Sequence, residues 1–268
     1  MSLPSILVVG ANSFLARSFV KALDPRHLVR AISHDEVASA PLREVDCVIN
    51  FAFHPALMKE PYQLEYDIDR RLLDALGGTD VHYVMLGSRK VYGIGCGQTF
   101  HEDDDLDPAG NYGQNKALIE SHVRESRPGR HTIVRISNVI GHGIGTHTFI
   151  GQALQTLCQE GRISLNIDGS TRRDFLPLKE LSNSLVSLAL KRPPGTFNLG
   201  AGFSTPVGDI AQWLIDGYGS GSIEITDHSE RDAFVLDISR VNRIVRTITQ
   251  PDSIRDVCKT LGRCMKNG

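Results

Sequence analysis

Tyr112 and Lys116 lie four residues apart in Asn111-Tyr112-Gly113-Gln114-Asn115-Lys116, and on a helix that spacing puts both side chains on one face. A free phenol ionises at about pH 10 and is a poor proton carrier near neutrality. An adjacent ammonium favours the phenolate and draws its pKa toward the working range, which equips the pair to give and take a proton. Surface helices often carry Tyr and Lys at this spacing, so the neighbouring segments decide what the pair means. Upstream, Val84-Met85-Leu86-Gly87-Ser88 is an apolar run that closes on a hydroxyl, and nearer the N-terminus Gly10 opens a turn after another apolar run.

These side chains need a scaffold, and the order of apolar runs supplies one. Ser5 to Val9 reads as a strand that passes through Gly10 to Ala16 into a helix with Leu15, Phe19, Ala22 and Leu23 apolar. Such a turn can set backbone N–H groups and a helix N-terminus against a pyrophosphate, which makes Gly10, Asn12, Ser13, Phe14 and Leu15 candidate cofactor contacts. Ser13 and Ala16 stand where glycines are usual, so an ordinary tight turn stays open as a reading. His27 to Ile32 reads as a second strand ending in Ser33-His34-Asp35-Glu36. Polar Ser33 and His34 at its tip lean toward NADP(H), while Asp35 keeps NAD(H) open. After an abbreviated crossover comes a strand over Asp46 to Ala52. A helix with Leu64, Ile68, Leu72 and Leu76 on one stripe ends at Gly77-Gly78, and a strand follows over Val81 to Leu86. His131 to Ile136 continues the series.

This alternation predicts an α/β fold, a doubly wound parallel sheet of Rossmann type covered on both faces, with a small mixed C-terminal substrate subdomain. Helices are predicted over Thr148 to Glu160, Leu178 to Leu190 and from Pro206, with short strands at Ile163 to Ile167 and Phe197 to Leu199. The division expected is a dinucleotide-binding domain over 1–137, rejoined by 178–200, and a substrate-binding subdomain from 138–177 and 201–268.

Composition narrows the function. A chain of 268 residues with 41% hydrophobic and 22% charged residues builds a sizeable core, and a formal net charge of −2 gives no electrostatic case for nucleic acid or an anionic membrane. No apolar run approaches the roughly 18 to 20 residues of a membrane span, and no leader-like segment opens the chain, so a cytoplasmic protein is expected. Five cysteines and ten histidines show no metal-ligand spacing or disulfide framework. Glu102 to Asp105 reads as a solvated loop, and no metal site is expected.

Gly10 to Ala16, Asn50 to His54, Ser88 to Gly93, Tyr112 to Lys116, Arg135 to Gly141, Arg173-Asp174-Phe175 and Asn198-Leu199-Gly200 together resemble the extended short-chain dehydrogenase/reductase family. The likeness is to its NAD-dependent epimerase/dehydratase group, which acts on nucleotide sugars, and it spans nearly the whole chain. The resemblance implies Tyr112 as proton donor or acceptor, Lys116 on the nicotinamide ribose, and Ser88 on the sugar oxygen where charge develops. It also puts Phe51 and Ala52 beside the dinucleotide, and Asn138, Arg173 and Arg231 on the substrate nucleotide or its diphosphate. His147 falls at the offset of an acid-base histidine in one epimerase-reductase of the group.

Departures from the pattern are informative. Dehydratases of the group carry Asp-Glu after the catalytic hydroxyl, where this chain has Arg89-Lys90, which argues against elimination of water. Asp67 replaces a usual Asn, and Gly87 replaces a frequent Ser without evident consequence. The resemblance then implies a reductase of a nucleotide-linked 4-keto sugar, favouring NADP(H) with NAD(H) possible. A 4-epimerase that retains NAD and a non-enzymatic dinucleotide sensor are the alternatives. A homodimer paired through the helices around Leu64–Leu76 and Tyr112 is expected.

Overall fold

The computed structural model describes residues 3–146, 148–245 and 249–267. In chain order the elements are β1 (Ile6–Val9), α1 (Phe14–Ala22), β2 (Val29–Ile32), β3 (Cys47–Asn50), α2 (Ile68–Ala75), β4 (His82–Ser88), β5 (Cys96–Phe100), α3 (Gly110–Ser126), β6 (His131–Ile136) and β7 (Asn138–Ile140). There follow α4 (Phe149–Glu160), β8 (Arg162–Leu165), β9 (Arg172–Pro177), α5 (Leu178–Lys191), β10 (Gly195–Leu199), β11 (Ser204–Pro206), α6 (Val207–Tyr218), β12 (Ser222–Ile225), β13 (Ala233–Leu236), α7 (Ser239–Asn242) and α8 (Pro251–Asn267). Six strands form one parallel sheet in the order β10-β6-β4-β3-β1-β2, as the alternating pattern predicts. The chain leaves β1 outward to β2 and then restarts on the other side at β3. The crevice at the carboxyl ends of β1 and β3 is therefore the switch point, where open α/β sheets bind ligands.

Both faces of this sheet are covered because successive strand residues point to opposite sides and both sets are apolar. Ile6, Val8, Ile49, Val84 and Val134 pack with Phe19 of α1 and Leu181, Leu185 and Leu188 of α5. Their neighbours Leu7, Val9, Val48, Tyr83, Met85 and Ile133 pack with Leu72 of α2 and Ile119 and Val123 of α3. Each such side chain contributes about 1.5–3 kcal/mol on full burial. The later elements form a sheet in the order β11-β9-β13-β5, with β7 joined to β9, and a separate pair, β12-β8.

One local reading differs from the sequence expectation. The stripe from Leu64 to Leu76 is broken: Leu64–Tyr66 is a 3-10 turn, and α2 starts only after Asp67, whose carboxylate caps it by accepting the Arg70 N–H at 2.9 Å. Leu64 is left 61% exposed, so its apolar character extends the periodicity without extending the helix. The crossover after β2 is abbreviated as expected, holding only a 3-10 turn, His34–Ser39, capped by Ser33 in a reciprocal box with Glu36.

Candidate active site

Ser88 ends β4 almost fully buried and caps the short turn Arg89–Tyr92, its Oγ accepting the Lys90 N–H at 3.2 Å. That turn lies directly under the start of α3. A Cβ on Gly113 would meet the Lys90 carbonyl oxygen at 2.7 Å, so only glycine beside Tyr112 lets the helix settle there. Further along, α3 is tied down by buried polar contacts. Asn115 donates to the Leu57 and Glu60 carbonyls, each at 2.9 Å, and Glu120 pairs with Arg135 of β6 at 2.8 Å. Gly87 is less neutral than the resemblance suggests, because a Cβ there would meet a Glu120 carboxylate oxygen at 2.8 Å.

Tyr112 and Lys116 occupy the first turns of α3. Lys116 is buried, and its Nζ donates to the Leu86 carbonyl at 2.8 Å while lying 4.2 Å from the centre of the Phe53 ring. The same ring meets Tyr112 nearly at right angles, 5.5 Å between centroids. Phe53 thus touches both side chains, although the sequence offered it only as part of the Asn50–His54 segment. No side-chain hydrogen bond engages the Tyr112 hydroxyl among the described residues, which leaves it open to a ligand.

At the switch point, Gly10 has φ +86°, and a Cβ there would meet the Ala52 nitrogen at 2.7 Å. Glycine lets the turn after β1 close on the loop after β3. Ser13 caps α1 and takes the Leu15 N–H at 3.3 Å, so that N–H is committed within the helix cap. Asn12 is exposed, and Phe14 lies under the Gly143 loop. The Phe51 ring is core, 5.3 Å from Phe19, so Phe51 has only its backbone to present. At the β2 tip the Ser33 hydroxyl lies 3.3 Å from an Asp35 carboxylate oxygen, and His34 approaches the same carboxylate at 3.4 Å.

A cluster of charge stands beside Ser88. Arg89 is buried and forks onto both carboxylate oxygens of Asp232, and Lys90 reaches one of them at 2.8 Å. Arg173 donates to the Asp232 and Arg231 carbonyls, each at 3.1 Å. Burial alone would raise the Asp232 carboxyl, but the hydrogen bonds and charge of Arg89, with Lys90, hold it well below the usual carboxylate range. Burial and the Arg89 charge together lower Lys90, against the pull of Asp232.

The remaining candidates fall differently. Arg231 is exposed and pairs with Asp227 at 2.5 Å, so it flanks Arg173 with its own charge already answered. Asn138 begins β7, and its buried Nδ2 has no hydrogen-bond partner among the described residues. An unsatisfied buried amide is costly, and a ligand oxygen would satisfy it. His147 lies outside the described residues. Glu102 is buried and accepts the Asn198 N–H at 2.9 Å, while Asp103 pairs with Arg240. Asp232 was not singled out by sequence reasoning because it stands 143 positions from Arg89 and belongs to no local motif.

Residues 6–200 match the NAD dependent epimerase/dehydratase family. The chain belongs to that family, whose members are dinucleotide-dependent enzymes of the short-chain dehydrogenase/reductase type. Among solved structures it is similar to the NAD-dependent NDP-hexosamine 5,6-dehydratase TunA, involved in tunicamycin biosynthesis, with 22% identity over 98% of each chain and a TM-score of 0.84. It is similar to the UDP-N-acetylglucosamine 4-epimerase of Methanobrevibacter ruminantium M1, solved with UDP-N-acetylmuramic acid, with 18% identity over 100% of each chain and a TM-score of 0.85. A third is RMD of Pseudomonas aeruginosa, solved with NADPH, with 18% identity over 98% of this chain and 99% of that one and a TM-score of 0.81. At these identities the likeness is one of fold. The crevice suits a dinucleotide: Gly10 keeps its walls together, the start of α1 faces it, and Lys116 and Tyr112 stand on the next helix toward β6.

Proposed function

We propose that the chain catalyses hydride exchange at a ring carbon of a nucleotide-linked sugar, as the reductase of a 4-keto sugar, with Tyr112 as the proton carrier. The observation that carries this reading is the joint placement of three groups. Ser88 closes β4, Gly113 seats α3 on the turn after it, and Phe53 contacts both Tyr112 and Lys116. The positions where a dehydratase keeps its acids hold Arg89 and Lys90, both bound to Asp232. That pairing supports reduction over elimination, because it leaves Tyr112 as the open acid–base group.

When bound, the dinucleotide supplies or accepts the hydride. Ser88 donates a hydrogen bond to the sugar oxygen as negative charge develops there, and Tyr112 delivers the proton that makes it a hydroxyl. Lys116 holds positive charge beside the phenol, oriented by Leu86 and Phe53. Asn138 Nδ2 and Arg173 hold the nucleotide end, an amide and a guanidinium suiting phosphate and base oxygens. Residues 1–137 and 178–200 then form the dinucleotide-binding part, and 138–177 and 201–268 the substrate-binding part.

The second reading, a 4-epimerase retaining NAD, is favoured by one observation. The Ser33 hydroxyl is occupied within its own turn and the Asp35 carboxylate stands at the β2 tip, an arrangement that suits ribose hydroxyls better than a 2′-phosphate. The test is to offer the purified protein a nucleotide-linked 4-keto sugar with NADH or NADPH and follow loss of the reduced form. Stoichiometric oxidation supports the reductase. Dinucleotide already bound on purification, with interconversion of nucleotide sugars and no net oxidation, supports the epimerase. Stoichiometric dinucleotide binding with neither reaction supports a sensor and refutes both.

A further inference from the structure

Lys116 is 5% exposed, so its ammonium has lost nearly all contact with water and needs compensation. It has three N–H donors, and the Leu86 carbonyl takes one. Among the described residues no carboxylate forms an ion pair with it. Asp69, whose charge reaches it, gives one carboxylate oxygen to Tyr83 at 2.5 Å and to Asn50 at 3.0 Å. Besides the Asp69 charge and the Leu86 carbonyl, the compensation in contact is the face of Phe53, 4.2 Å from Nζ, within the range where a ring quadrupole attracts a cation.

The distinction matters for chemistry. A carboxylate beside Lys116 would cancel the ammonium's field at the phenol, whereas an aromatic face stabilises the ammonium and adds no net charge. Phe53 is also fixed on both sides. Asn50 Oδ1 accepts the Ala52 N–H at 2.9 Å before it, and after it His54 accepts the Ala56 N–H at 3.2 Å and stacks on Tyr66 at 4.2 Å and 5°. The ring therefore presents one surface to Lys116 and meets Tyr112 at 89° from a held position.

The geometry points to Phe53 as a positioning residue that holds the Lys116 ammonium in place beside Tyr112 through its ring face. This role rests on the reading of Tyr112 and Lys116 as the proton-handling pair. A core residue of the same size would serve as well if the ring only filled space, so the electronic character of the ring is what must be varied.

Phe53→Leu is expected to lower kcat for a nucleotide-linked 4-keto sugar with NAD(P)H by about 30-fold, the worth of a desolvated cation–π contact. KM should move by less than about threefold by the same reasoning, since the contact acts on the proton-handling pair. Phe53→Tyr should restore most of the rate. Phenylalanines carrying successive ring fluorines at position 53 should lower kcat stepwise at nearly constant shape. A double-mutant cycle on unfolding with Phe53→Leu and Lys116→Met reads the contact without any substrate and is expected to be non-additive. Wild-type turnover in Tyr112→Phe overturns the functional reading, and this role with it. If Tyr112→Phe is inactive, then an additive cycle, an unchanged kcat in Phe53→Leu or a flat fluorine series overturns the role of Phe53 alone.

Discussion

At the residue scale the Tyr112 hydroxyl has no side-chain hydrogen bond to anything in the described fold, whereas Lys116 is anchored to Leu86 and Phe53. Removing the hydroxyl should therefore disturb chemistry and little else. Tyr112→Phe is expected to lower kcat by about 10²–10⁴-fold, the range for one positioned proton carrier, with dinucleotide affinity unchanged in a binding titration. Near-normal turnover would rule out Tyr112 as that carrier. The β2 tip permits an independent measurement. Under the proposed reading the dinucleotide ribose sits at this tip beside the Asp35 carboxylate, and Asp35→Ser should then shift the NAD to NADP affinity ratio toward NADP by about tenfold, on the order of 1–2 kcal/mol for one close like charge near a surface. An unmoved ratio means that the dinucleotide ribose does not sit at this tip. Asp35 is visible in the sequence as the acidic residue that keeps NAD(H) open, whereas the contacts of Phe53 are not. The capping box that fixes Ser33 and the ring contacts of Phe53 are three-dimensional facts, while the placement of Tyr112 and Lys116 on one helix and of Ser88 at a strand end was legible, because helical spacing and an apolar run closing on a hydroxyl leave marks in the chain itself.

At the element scale, the first sheet was legible because its central strands are short, largely apolar runs buried on both faces, and helices between them carry one apolar stripe each. What was missed lacks that signal. β5 is Cys96–Phe100 with four of its five residues exposed, and its partner β13 lies more than a hundred positions away. The α2 boundary was missed for the opposite reason, since Leu64 carries the right period but Asp67 spends its carboxylate on a cap. β4 also carries a polar group that the apolar pattern hides. His82 opens the strand, its Nε2 lies 2.7 Å from Thr132 Oγ1, and burial, aided by the charge of Arg192, lowers it from 6.5 to about 4. Unfolded, this imidazole takes a proton as pH falls through about 6.5, whereas folded it resists until about 4. The fold therefore loses stability across that window and levels off below it, by roughly 1–2 kcal/mol after allowance for partial solvent access. His82→Gln should flatten the stability profile between about pH 6.5 and 4 in denaturant titrations. A slope equal to that of the wild type means that His82 is not the group responsible.

At the scale of the whole molecule, the two principal sheets meet beside Ser88 through one ion cluster. Arg89 follows β4 of the parallel sheet and Asp232 precedes β13 of the second sheet, and both side chains are largely buried, at 4% and 12% exposure. Asp232 also accepts the Gly95 N–H at 3.2 Å and adopts φ +63°, a strained conformation for a residue with a side chain. The carboxylate thus answers Arg89, Lys90 and the approach to β5 at once. Asp232→Ala would leave the Arg89 guanidinium buried and unpaired, and it is expected to cost about 3–5 kcal/mol of unfolding free energy at neutral pH. The same pairing sets an acid limit. Because the folded carboxyl is held below its usual range, its stabilisation is complete above the unfolded value of about 4 and is lost as pH falls below that. Asp232→Asn keeps an acceptor for Gly95 but cannot titrate, so it should be less stable than wild type near neutrality, with the gap narrowing as pH falls below about 4 and closing only where the folded carboxyl itself takes a proton. A gap of constant size across that range would mean that Asp232 holds the sheets together by shape and hydrogen bonding, without the charge that Arg89 and Lys90 supply.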